Sequence, residues 1–209
     1  MNTKEELINK LIKDNGYKVY LELGTQYGVC MNEIQCQTKH GVDPFNPRHR
    51  IVSCDEFFNM TTDDFFSNVE ANQTTYDLIF IDALHHADQL LADLCNSGAR
   101  LASDGTIVLH DMMPTNELTQ RVPRESKEWY GDCWKVGYLL LKGNYDITID
   151  FFNFDCGLMV ITFGREGLDQ LLVDFSDNLD RLDHITYAEH FQHYLELLEN
   201  NETSNRNAV

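Results

Sequence analysis

Acidic side chains and histidines recur in this chain at the ends of short apolar runs. Tyr20-Leu21-Glu22-Leu23 leads into Gly24 and Gly28, and Lys39-His40-Gly41-Val42 leads into Asp43. Arg50-Ile51-Val52-Ser53-Cys54 leads into Asp55, Tyr76–Ile81 into Asp82, and Thr106–Leu109 into His110 and Asp111. A glycine at a strand end lets the backbone turn sharply and lets a ligand lie against it. The amides of a helix that starts there point at that ligand. The pattern acidic-x-Gly-x-x-x-Gly, with Thr25 inside the loop, is neither G-x-G-x-x-G nor a phosphate loop ending in G-K-[ST]. Asp43 stands about 20 residues further on, the separation at which a carboxylate meets a ribose diol in doubly wound nucleotide folds. The alternative role for Asp43 is to cap the turn before Pro44. A histidine can take the proton from a hydroxyl nucleophile, and paired carboxylates can hold a divalent cation that lowers the hydroxyl pKa. His86 and His110 are the candidate bases, with Asp82 and Asp111 orienting them or holding a metal. His85 and His86 could equally just start the next helix.

The elements that would position these residues alternate strand and helix. Thr3 with Glu6 forms a capping box, the stripe Leu7, Ile8, Leu11, Ile12 follows at helical spacing, and Asn15-Gly16 stops the helix. Strands are predicted over 18–23, 39–43, 50–54, 76–82 and 106–109. Asp55 is the expected N-cap of a helix carrying Phe57, Phe58, Phe65 and Phe66. A long helix with Leu90, Leu91, Leu94 and Leu101 inward follows the fourth strand. Such alternation predicts an α/β, Rossmann-like doubly wound sheet, mostly parallel, with helices on both faces. Ligands then bind at the carboxyl ends of its strands. Residues 112–130, with Pro114 and Pro123, read as an irregular substrate lid. Trp129 and Trp134 would either wall a pocket or anchor that lid. Residues 146–151 and 157–163 are joined by so short a link that they must pair antiparallel. Helices follow near Leu168–Leu172 and over 187–198. Residues 1–200 are expected to form one domain, with 201–209 a flexible tail.

Composition narrows the partners. Sixteen Lys and Arg against 34 Asp and Glu leave a formal charge of -18. That field repels nucleic-acid backbones and anionic membranes, which leaves a small-molecule substrate. Arg48-His49-Arg50 is the one short basic cluster, read as a solvated loop. The six cysteines form no C-x-x-C and no zinc spacing. Reduced thiols, a polar N-terminus and no bilayer-length apolar run give the expectation of a cytoplasmic protein. Phe191, Tyr194 and Leu198 share a helix face that would bury against the domain or against a second subunit in a homodimer. Glu189, His190 and His193 are out of order for H-E-x-x-H and read as a solvated face.

Taken together, YLELGTQYG, GVDPFNP, SCDEFF, DLIFIDALHHADQLLADL, GTIVLHDMMP and WYGDCWK resemble the class I S-adenosylmethionine-dependent methyltransferases. Within them, the resemblance is to a small bacterial and viral subgroup acting on sugars or metabolites. It spans roughly residues 17–163, by the element assignment above. It implies S-adenosyl-L-methionine as cofactor and transfer of its methyl group, as an O-methylation, to a small hydroxylated acceptor. On this resemblance Glu22, Gly24, Thr25 and Gly28 form the first cofactor motif and Asp43 meets the ribose. Ser53, Cys54 and Asp55 then face the adenine, and Asp82 ends the fourth strand. In the metal-dependent O-methyltransferases of catechol type that last acid binds Mg2+, and an Asp-Asn pair after strand five adds ligands. Here Asp111 matches the Asp, while Met112 replaces the Asn; His85, His86 or Glu117 would have to complete a metal site. Two other functions fit the same fold: a protein that binds the cofactor or a nucleoside without methyl transfer, and a structural module. An NAD-linked dehydrogenase is disfavoured by the missing third glycine and the terminal antiparallel pair.

Overall fold

The computed structural model describes residues 1–45, 52–68 and 73–207, with main chain alone beyond Asn201. Its strands are β1 (Val19–Leu23), β2 (Thr38–Val42), β3 (Glu56–Phe58), β4 (Tyr76–Ile81), β5 (Leu101–Leu109), β6 (Ile147–Phe152) and β7 (Leu158–Phe163). Its helices are α1 (Lys4–Asn15), α2 (Val29–Glu33), α3 (Thr62–Ser67), α4 (Ala87–Gly98) and α5 (Trp134–Lys142). They are followed by α6 (Gly167–Val173), α7 (Phe175–Leu182) and α8 (Tyr187–Asn207).

The strands form one seven-stranded sheet in the order β3-β2-β1-β4-β5-β7-β6. β1 to β5 are mutually parallel, and β7 runs antiparallel to both β5 and β6. The apolar residues of β1, β4 and β5 are buried on both faces, as a covered parallel sheet requires. Leu21, Leu23, Ile79, Ile81, Ile107 and Leu109 pack with α4 and α5 on one face. Tyr20, Leu78, Phe80 and Val108 pack with α1 and α2 on the other. The chain steps outward from β1 to β3 and then returns to β4. The carboxyl ends of β1 and β4 therefore flank the point where strand order reverses, where such sheets open a crevice.

Two expectations need correction, the third strand with the helix after it and the end of the helix before β5. The third strand is Glu56–Phe58 rather than 50–54, and the helix after it starts at Thr62. Thr61, not Asp55, caps that helix, its hydroxyl accepting from the Asp64 amide at 3.1 Å. Phe57 and Phe58 belong to the strand, so the four phenylalanines are split between two elements. Asn46 to Ile51, with the basic cluster and the expected start of the third strand, lie outside the described residues. The inward helix ends at Gly98, so Leu101 opens β5 instead; a register shift between Tyr76 and Leu78 absorbs the turn at Asp104-Gly105. The segment past Asn200 continues α8 to Asn207. It contains no Gly or Pro to stop a helix, and Asn201 Nδ2 ties it to the Ile149 carbonyl at 2.7 Å.

The apolar face of α8 is covered by its own domain. Trp134, fully buried at the start of α5, meets Phe191, Tyr187 and Tyr194 at centroid separations of 5.1–6.0 Å. All six cysteines are free thiols. No helix among the described residues is long and apolar enough to cross a membrane.

Candidate active site

A cavity of about 670 Å3 opens at the carboxyl ends of the central strands. Its floor is the set of turns that end β1, β4 and β5. Gly24 turns the chain out of β1 with φ +89°, and a Cβ there would lie 2.0 Å from the Asp82 carbonyl oxygen. The Gly24 amide donates to the Val42 carbonyl at 2.8 Å, so this turn is stitched to the end of β2. Gly28, with φ +70°, is the N-cap of the short helix α2. Thr25 is buried within the loop, and its hydroxyl has no hydrogen-bond partner among the described residues. Glu22 is buried on the α1 side of β1 and accepts from the Tyr20 hydroxyl at 2.8 Å. Burial raises its pKa to about 7 against the hydroxyl's opposing effect.

Asp43 sits at the cavity edge with both oxygens on backbone amides, Oδ2 on Gln26 and Oδ1 on Phe45, each at 2.7 Å. It thus caps both loops and keeps further lone pairs, since a carboxylate accepts at about four sites. Ser53, Cys54 and Asp55 are elsewhere. Asp55 precedes β3, and its Oδ2 accepts from the Lys39 amide near the start of β2 at 2.8 Å. That is the amino end of the parallel strands, opposite the cavity. Thr61, Thr62 and Asp63, which follow β3, line the cavity in their place.

The densest chemistry lies across β4 and β5. Asp82 Oδ1 is 3.1 Å from His110 Nδ1 and 3.4 Å from His85 Nε2, and Oδ2 is 2.8 Å from Lys4 Nζ. Asp111 Oδ2 lies 3.0 Å from His85 Nδ1 and 3.4 Å from His110 Nδ1. Asp111 takes a left-handed φ of +60°, uncommon for a residue with a Cβ, and its carboxylate reaches His85 from there. Asp155, in the β6–β7 turn, stands 3.7 Å from His110 Nε2. Burial opposes the His110 imidazolium, but Asp82, Asp111 and Asp155 outweigh it and hold its pKa well above the ordinary value. The same contest, against burial and for Asp82 and Asp111, raises His85. Burial works against the Asp82 carboxylate; His110, His85 and Lys4 overcome it and hold its pKa well below the usual range.

His86 is the N-cap residue of α4 and is not among the residues lining the cavity. His85 is, and its ring stacks on Trp129 at 5.3 Å and 15°. The two tryptophans divide the roles expected of them. Trp129 backs His85, while Trp134 ties residues 112–130 to the core by donating to Gln120 Oε1 at 3.1 Å. Glu117, in a 3-10 turn of that segment, pairs with Arg121 at 3.3 Å and does not line the cavity. Tyr27 and Phe45, edge to face at 5.3 Å, are exposed aromatics on the cavity wall that the sequence reading passed over. Each follows a strand-end glycine or acid by two or three residues, which was the available signal.

Residues 21–112 match a methyltransferase-domain family model. Over that stretch, a little under half of the chain, the sequence is similar to a methyltransferase domain. Solved structures share the fold over 76–78% of the chain. One is the O-methyltransferase TomG of Streptomyces achromogenes, solved with S-adenosylmethionine (12% identity, TM-score 0.56, covering 77% of this chain and 80% of that one). Another is a Bacillus cereus O-methyltransferase solved with S-adenosylhomocysteine (13%, 0.55, 76% and 80%). A third is the Podospora anserina methyltransferase PaMTH1, also solved with S-adenosylhomocysteine (13%, 0.56, 78% and 80%). No curated protein sequence matches the chain.

Proposed function

We propose that this protein transfers a methyl group from S-adenosylmethionine to a hydroxyl of a small acceptor, a sugar or metabolite, within one domain running to α8. The observation that carries the reading is the convergence of the Gly24 loop, Asp43, Asp82, His85, His110 and Asp111 on one cavity. Its volume suits a cofactor-sized ligand. When bound, the cofactor supplies an electrophilic methyl on a sulfonium centre. The chain supplies alignment and removal of the acceptor's proton.

His85 suits that second task better than His110. It lines the cavity, rests on Trp129 and has Asp111 behind one ring nitrogen, so a proton gained on the ring is stabilised where it forms. His110 has carboxylates at both nitrogens and serves to orient Asp82 and Asp155. Glu22, Gly24, Thr25, Gly28 and Asp43 make the cofactor side, joined by Thr61, Thr62 and Asp63. Asp82, His85 and Asp111 bring donor atoms within 4.8 Å of one another. Magnesium, however, takes oxygen ligands in a near-octahedral shell. Here one donor is nitrogen, both Asp82 oxygens are engaged, and the Met112 side chain is buried in the core. The set does not fit magnesium.

Calorimetric titration with S-adenosylmethionine and S-adenosylhomocysteine tests the reading. Micromolar binding that Gly24→Arg abolishes, followed by transfer of labelled methyl to a hydroxylated acceptor and loss of that transfer in His85→Gln, is the expected result. Absence of binding to either cofactor form would overturn it.

A further inference from the structure

The Asp82 carboxylate ends β4 at the centre of the cavity, yet the charge on its outer oxygen comes from the start of the chain. Lys4 is the first residue of α1, and its Nζ lies 2.8 Å from Asp82 Oδ2. This lysine is built in. Thr3 caps its helix, and Leu7, Ile8 and Ile12 bury that helix against the sheet face carrying Tyr20 and Phe80. The Lys4 amide donates to Asp155 Oδ2 at 2.7 Å, and Nζ sits 5.5 Å from the centre of the Phe80 ring. Only 18% of its side chain is exposed. The second Asp82 oxygen is shared by His110 and His85. A divalent ion entering here would have to expel the ammonium from an oxygen it already holds at hydrogen-bond distance. It would then find histidine nitrogen from His85 beside the carboxylate oxygens, where magnesium takes oxygen ligands.

We propose that Lys4 is the resident cation of this site. It fixes the Asp82 carboxylate with a positive charge that a divalent ion would otherwise supply, and it makes α1 part of the cofactor cavity. The proposal rests on the methyl-transfer reading of the same cavity. Lys4 is here a positioning residue, acting through Asp82. A fixed ammonium on a short tether keeps the carboxylate oriented without a bound ion. The site then needs no metal for cofactor binding, and α1 is required for it.

The test uses the full chain, S-adenosylhomocysteine and Mn2+ or Mg2+ as probes. Wild type should bind S-adenosylhomocysteine equally in EDTA and in excess MgCl2. It should also leave Mn2+ free in solution by electron paramagnetic resonance. Lys4→Gln should lose affinity for S-adenosylhomocysteine by about tenfold or more, a change of about 1.4 kcal/mol or more. With one Asp82 oxygen freed, it should also take up Mn2+ in a way that Lys4→Arg does not. One Mn2+ bound per wild-type chain, or about tenfold tighter cofactor binding with magnesium, would overturn the proposal. Wild-type cofactor affinity in a folded Lys4→Gln, checked by near-ultraviolet circular dichroism, would do the same. If Lys4→Gln fails to fold, the wild-type metal measurements decide alone. Should wild type bind no cofactor, the methyl-transfer reading fails, and the Mn2+ measurement still reports whether Lys4 or a metal holds Asp82.

Discussion

Glu22 carries a sharp prediction because its carboxyl is buried without a cation in direct contact. It accepts a hydrogen bond from the Tyr20 hydroxyl at 2.8 Å, with the Cys30 thiol also opposing the rise in its pKa. Burial is the largest influence and raises the pKa from 4.5 to about 7, with Asp82 adding to it and Tyr20 and Lys4 opposing. The folded state therefore binds this proton more tightly than the unfolded chain does. Its contribution is fully present below pH 4.5 and is lost as pH rises to about 7. The shift of about 2.5 units, at 1.36 kcal/mol each, makes the ionised form cost about 3 kcal/mol above neutrality. Glu22→Gln keeps the shape and an acceptor for Tyr20 but cannot ionise. Its new amide donors cost about 1 kcal/mol at any pH. Urea unfolding of both proteins at pH 5 and pH 8 isolates the charge, because the pH-independent cost cancels between the two. The variant should gain about 2.5 kcal/mol relative to wild type between those pH values, since part of the contribution is already lost at pH 5. A gain near zero would refute the assignment, since Glu22 would then have to be solvated or paired when ionised.

Three other results follow from the same geometry. Because Asp82 and Asp111 raise the His85 pKa above 6.5 against burial, a base at His85 must lose its proton before it can work. The rate of methyl transfer should rise with pH through a midpoint above 6.5, and that limb should vanish in His85→Gln. Asp43→Ala should weaken cofactor binding by about tenfold or more. Asp55→Ala should leave it unchanged and cost roughly 1 kcal/mol of stability for its lost backbone bond; titration calorimetry and urea unfolding separate the two. Tyr194→Phe removes the buried donor to the Met112 carbonyl, made at 3.0 Å. It should destabilise the fold by about 1–3 kcal/mol, measured by urea unfolding, with cofactor affinity kept.

How far the site could be read in advance depends on which part of it is considered. Parallel strands put all their carboxyl ends on one side. An unbroken apolar run such as Tyr76–Ile81 or a glycine stop such as Gly24 therefore also locates the residues just past it. Asp43, Asp82, His110 and Asp111 were legible for that reason, and so was the antiparallel β6–β7 pair, from its short link. β3 was not. Three residues carry too little periodicity to tell a strand from a helix, and Phe57-Phe58 beside Phe65-Phe66 suits a helix stripe as well. The error moved Asp55 from one end of the sheet to the other, because placing a strand one segment early reverses which end its flanking residues occupy. Asp155 was read only as part of a turn. It reaches His110 because Asp155, Cys156 and Gly157 all take left-handed φ values and the Met112 and Met113 amides bond back to Gly157 and Cys156.

Lys4 marks the limit of this kind of reading. It meets Asp82 across a separation of 78 residues, and no local pattern encodes that pairing. What encodes it is the burial of Leu7, Ile8 and Ile12 against β1 and β4, which fixes the angle of α1 and so the place of its first turn. Strand ends supply the floor of this site by topology alone, whereas its charge balance comes from helix packing. The charge balance is therefore the part most open to change by substitutions that touch no residue in the cavity. Enlarging Ile8 or truncating Leu7 would tilt α1, withdraw the ammonium, and leave Asp82 to the two histidines.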